Sequence, residues 1–273
     1  MPHFENEYLN LILQAFKHKE YDEHRIPDFL NSAKRKYDIS KEKLKHVKAV
    51  QKLREGNFQQ AELESYQLLY SFKKDLNLIW NDDYFKFWII SKLLMDEEQH
   101  LKSDCGYIIN EINKIINFEH LNKNPIYFQL LIFDVLEHEL LEDYLEDLVS
   151  FGANLFIKII ASIDWSDEKV VKLIVEKVFF KREMFGKFNP VIIEYINELI
   201  NHFKPSNSSE LFYKTYLFYV EASILFKNKR YIGAKKIIKN IFNSFNENEI
   251  YTTYHDINDL SLEIFRYLDR PIH

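Results

Sequence analysis

One spacing occurs twice in this chain and leaves few folds open to it. In "KAVQKLREGNFQQAELE" Ala49 is followed at +4, +9 and +12 by Leu53, Phe58 and Ala61, and in "EASILFKNKRYIGAKKIIKNIF" Ala222 is followed at the same offsets by Phe226, Tyr231 and Ala234. Two helices joined by a short turn need this pattern. A small residue on each helix lets the partner approach, and an aromatic side chain near the turn fills the wedge between them. The two copies start 173 residues apart, close to five periods of about 34 residues.

The remainder of the sequence agrees with helices. Apolar residues recur at three- and four-residue spacing, as in Tyr8, Leu9, Leu11, Ile12 and Phe16, or Val170, Leu173, Ile174 and Val178. No sustained alternation of period two is present. Asn124-Pro125 and Asn189-Pro190 each place a capping side chain before a proline, which marks a helix start. In "DWSDEK" Ser166 is the expected cap, with Asp167 and Glu168 in the first turn, while Gly56 and Gly186 stand where helices should stop. The expectation is an all-α chain of about twelve to fourteen helices. It forms a single domain over residues 1–273, built as a superhelical array of antiparallel helical hairpins, a TPR-like α-solenoid.

Composition removes several classes of function. Five widely separated glycines give no Gly-rich loop for a phosphate, and one cysteine, Cys105, gives neither a disulfide framework nor a Cys-rich zinc site. No cofactor or metal is expected. The opening "MPHFENEYLN" lacks a basic region before an apolar core, and no apolar run is long enough to span a bilayer. A cytoplasmic protein without membrane contact is therefore expected. The net charge of -6 argues against direct nucleic-acid binding. That charge is uneven, with nine Lys/Arg against two acids over residues 34–54 and three against thirteen over residues 96–147.

Candidate chemistry is sparse. Glu97 and His100 form a single E-x-x-H, whereas di-iron bundles use two together with further glutamates. In "EHELLEDYLEDL" Glu139, Asp143 and Glu146 are spaced to stack on one helix face, opposite Leu140, Leu141, Tyr144, Leu145 and Leu148. Arg266 and His273 stand at the Arg-x6-His distance, which resembles the motif of HEPN-type ribonucleases, but Pro271 lies between them. No nucleophile elbow or zinc-protease motif appears, and enzymatic activity is not expected. A solenoid instead offers a concave face. The repeat phase puts Tyr216, Tyr219, Ser223 and Lys227 on the inner side of the second hairpin's first helix.

Three segments resemble the C-terminal repeat domain of the Rgg/GadR/MutR regulators, cytoplasmic receptors for short peptide pheromones. They are "EDLVSFGANLF" from Glu146 to Phe156, "VIIEYINELI" from Val191 to Ile200, and the closing hairpin containing Ala222. The first departs from the family pattern at Asp147, in place of a glutamate, and at Ala153, one residue extra before Asn154. Members of that family also begin with a helix-turn-helix, and nothing in residues 1–60 reads as one. The resemblance implies a peptide-binding sensor domain of a transcriptional regulator, a homodimer through its C-terminal helices. Its groove residues would be Asn154, Asn197, Tyr216, Tyr219 and Lys227: amides for peptide backbone, tyrosines for side chains, the lysine for a terminal carboxylate. The other reading is a TPR-like protein-interaction scaffold that holds a protein segment without signalling.

Overall fold

The computed structural model describes residues 40–95, 105–244 and 255–268, and among them every regular element is helical. These residues fall into two compact units, residues 40–95 with 107–125, and residues 105–106 with 126–244 and 255–268.

The first unit contains α1 (Lys41–Arg54), α2 (Phe58–Lys74), α3 (Asp82–Met95), α4 (Gly106–Ile115) and the single turn α5 (Phe118–Leu121). Ser40 opens α1 by accepting from Lys43 N–H, and Asn57 opens α2 by accepting from Gln60 N–H. Ala49 and Ala61 are buried where α1 and α2 pack. The core of this unit is aromatic: Phe72 meets Trp80 and Tyr84 at 5.2 and 5.7 Å, and Trp88 is fully buried. Trp88 Nε1 donates to Glu62, which also pairs with the buried Lys92 at 3.5 Å, so these three side chains satisfy one another within the core.

The second unit contains α6 (Pro125–Val135), α7 (Leu145–Ser162), α8 (Glu168–Phe180), α9 (Arg182–Phe185), α10 (Ile193–His202), α11 (Ser208–Lys227), α12 (Tyr231–Ser244) and α13 (His255–Leu268). Phe185 sits at its centre, with the rings of Phe133, Phe156 and Phe188 each within about 5 Å. α11 is the axis of the unit, packing against α8, α9, α10, α12 and α13. Buried residues run round its circumference for this reason, from Thr215, Tyr216 and Leu217 to Val220, Ala222 and Ile224.

The duplicated spacing corresponds to a duplicated turn. Gly56 N–H bonds Leu53 C=O at 3.2 Å and Asn57 N–H bonds Lys52 C=O at 2.9 Å; Lys229 N–H bonds Phe226 C=O at 2.9 Å and Arg230 N–H bonds Leu225 C=O at 2.8 Å. Each is a Schellman closure at the same offset from its alanine. Both closures need a left-handed residue, supplied by Gly56 at φ 75° and by Lys229 at φ 61°. Ala222 and Ala234 are fully buried where α11 and α12 pack, and Tyr231 meets Phe226 edge-on at 5.5 Å beside the turn.

Two local expectations are corrected. The cap of α8 is Asp167, which accepts from Lys169 and Val170 N–H, while Ser166 turns back to donate to Asp164. The acidic stretch from Glu139 is a 3-10 helix as far as Tyr144 and becomes α-helical only at Leu145. His138 Nδ1 takes the Leu140 N–H, and the 3-10 coil lacks the α-helical repeat on which the expected stacking of Glu139, Asp143 and Glu146 depends. Leu141 and Leu148 are buried as expected.

His46 is buried on α1 with Nε2 unpartnered, edge-on to Tyr84 and Phe87 at 4.8 and 5.2 Å. Burial pulls its pKa from 6.5 down to about 4. A group depressed in this way binds a proton more readily when unfolded, so stability is lost as pH falls from 6.5 through 4, by up to about 3 kcal/mol. Denaturation of the native protein and of His46→Phe across that range should show this loss only in the native protein. At the second turn, Lys229→Gly relieves a left-handed side chain and should raise stability by about 0.5–1 kcal/mol, whereas Gly56→Ala should lower it by a similar amount.

Candidate functional site

A cleft of about 310 Å³ opens between α9, the C-terminal half of α11, and α13. It lies wholly within the second unit. Its floor exists because Gly186 follows α9 so closely under α11 that an added Cβ would stand 3.1 Å from Ser223 Cβ. Tyr219, Ser223 and Lys227 line it at four-residue intervals along α11, and Phe226 closes the end nearest the turn. α13 contributes Asp256, Asp259 and Glu263, at spacings that put carboxylates along one helical face.

The polar groups are arranged in two sets. Arg182 Nε donates to Asp256 Oδ2 at 2.6 Å, tying α9 to α13, and its guanidinium lies 5.1 Å from the Tyr216 ring and 5.4 Å from that of Phe179. Tyr219 donates its hydroxyl to Glu183 at 3.1 Å. Burial, then the neighbouring Glu183 charge, holds the Tyr219 phenol well above its ordinary range; the nearby Ser223 hydroxyl opposes this less strongly, from a geometry outside that of a hydrogen bond. Lys227 is exposed as a residue, but partial desolvation, and then the like charge of Lys187, hold its ammonium below the usual lysine range.

Of the residues expected in a groove, Tyr219 and Lys227 line this cleft. Tyr216 lies behind it, 3% exposed, with its ring 5.5 Å from that of Tyr219 and under Arg182. The amides are elsewhere. Asn154 is exposed on α7, and Asn197 lies on α10 near Glu221, whose carboxyl burial pushes above its ordinary range, an effect that the neighbouring Asn197 amide opposes less strongly. Sequence reasoning missed Arg182, Glu183 and the α13 carboxylates. The 256, 259, 263 spacing was a legible sign, but nothing in the chain said that α13 folds back beside α9. Glu97, His100 and His273 lie outside the described residues, and Arg266 is exposed on α13.

A second cavity of about 320 Å³ lies between α11 and α12, with Leu211, Phe218 and Ile241 among its walls. Lys214 at its edge donates to Phe203 C=O at 2.8 Å. Among the described residues, no three His, Cys, Asp or Glu side chains converge as a metal site would require, and no helix is long and apolar enough to cross a membrane. Compared with protein-family models, with curated proteins and with solved structures, the chain shows no match.

The Arg182 to Asp256 pair is the polar tie that holds α13 over the cleft. Asp256→Asn keeps the shape and weakens the charge-assisted bond, at a cost of about 1 kcal/mol. Amide exchange in residues 255–268 should quicken about fivefold while exchange in α11 is unchanged.

Proposed function

We propose that this chain is a peptide-binding module, the sensor part of an Rgg/MutR-like transcriptional regulator. The observation that carries the reading is the cleft between α9, α11 and α13. An aromatic floor, a rim of charges and room for about two residues suit the end of an extended peptide better than a cofactor. The reading takes the helical hairpins as members of a superhelical, TPR-like array with the cleft on its inner face. It also takes the protein as a homodimer. Leu262 and Phe265, both exposed on α13, are apolar residues that such a dimer would cover.

Switching would follow from geometry. One wall of the cleft is α13, held to α9 by Arg182 and Asp256, so a peptide that favours one spacing of these helices biases the position of α13. A passive scaffold has the same cleft without this linkage. Selection of a displayed random hexapeptide library against the full chain should enrich sequences binding with Kd below about 100 µM. Such peptides should slow amide exchange in residues 219–227 and 255–268. An absence of binders, or protection confined to other helices, overturns the reading. Binding at the cleft with unchanged exchange in α13 favours the scaffold.

A further inference from the structure

We infer that the group entering the α9–α11–α13 cleft is a cation rich in N–H donors, an ammonium or guanidinium. This deepens the peptide-binding reading and rests on it. The lining carries two cations, Arg182 and Lys227, against four carboxylates, Glu183, Asp256, Asp259 and Glu263. Arg182 is already committed to Asp256, to the Phe179 carbonyl and to two aromatic faces. That leaves Lys227 against Glu183, Asp259 and Glu263, all exposed at the rim, and a surplus of two negative charges.

Hydrogen-bond capacity points the same way. Tyr219 spends its only O–H on Glu183 and keeps acceptor lone pairs. Ser223, in the floor, is 5% exposed and its Oγ has no hydrogen-bond partner. Ser223 can accept as well as donate and Lys227 only donates, but the three rim carboxylates only accept, so the open hydrogen-bonding capacity of the cleft leans to acceptors and a guest completes it by donating. An ammonium brings three N–H groups and a guanidinium five, and either would also lie against the rings of Tyr219 and Phe226. The carboxylates do not converge as a metal site among the described residues. Spread along the α13 face, they suit a guest whose donors are themselves spread out.

The test uses the full chain and the random hexapeptide library in four arms. The first is N-acetylated and free of Lys and Arg, the second has a free amino terminus but neither residue, and the third and fourth are acetylated with only Lys or only Arg admitted. Binding in at least one cationic arm should be about tenfold or more tighter than in the uncharged arm. Whichever arm binds identifies the source of the cation. Asp259→Asn with Glu263→Gln, at two exposed positions and with folding verified by thermal denaturation, should remove that difference and leave any uncharged binder unaffected. Equal binding by charged and uncharged arms overturns the cation assignment while keeping the peptide site. No binding in any arm overturns the peptide reading and this inference with it.

Discussion

Two helices can lie close together only if the chain between them reverses without leaving polar groups unpaired, and here a single left-handed residue does this in each of two hairpins. Gly56 and Lys229 occupy the same place seven residues after an alanine, and the four backbone hydrogen bonds about each turn correspond one to one. The turn fixes how the second helix departs, and the alanines fix how near it runs. The cleft-lining half of α11 is the half that leads into the second of these turns.

The helical class was legible because it is encoded locally. Period, caps and stop signals each concern a few neighbouring residues, and Asn57, Pro125 and Asn189 act as their chemistry requires. The inner-facing line of α11 was legible too, since Tyr219, Ser223 and Lys227 follow helical periodicity from a recognisable hairpin. The opposite wall was not. Arg182 sits on a four-residue helix without a periodic pattern of its own, and its partner Asp256 is 74 residues away. The failure at Glu139 was of another kind. The spacing is that of one continuous α-helix, whereas the chain is 3-10 from Glu139 to Tyr144, with His138 Nδ1 accepting from Leu140 N–H at its start.

The polar groups that close on one another at Glu62 and at Glu210, one set in each unit, are not those that line the cleft. In the first unit Glu62, Trp88 and Lys92 close on one another, and in the second Glu210 is engaged by Lys172 and by Ser206, with its pKa drawn down to about 2, chiefly by the Lys172 bond. Such groups have little left to offer a guest. Glu183, Asp259 and Glu263 differ in standing at a rim, where their field extends into an open cleft, and Ser223 differs in having no protein group to answer it.

Phe226 belongs to three neighbourhoods at once. Its carbonyl closes the second hairpin turn, its ring meets Tyr231 of α12 and Tyr267 of α13 at 5.5 and 5.4 Å, and it lines the cleft. The two tyrosines are themselves stacked at 5.1 Å, so the three rings form one cluster shared by the ends of α11, α12 and α13. Under the proposed reading, a guest that displaced this phenyl group would disturb a contact common to all three helices, a mechanical route out of the cleft that passes through no charged atom.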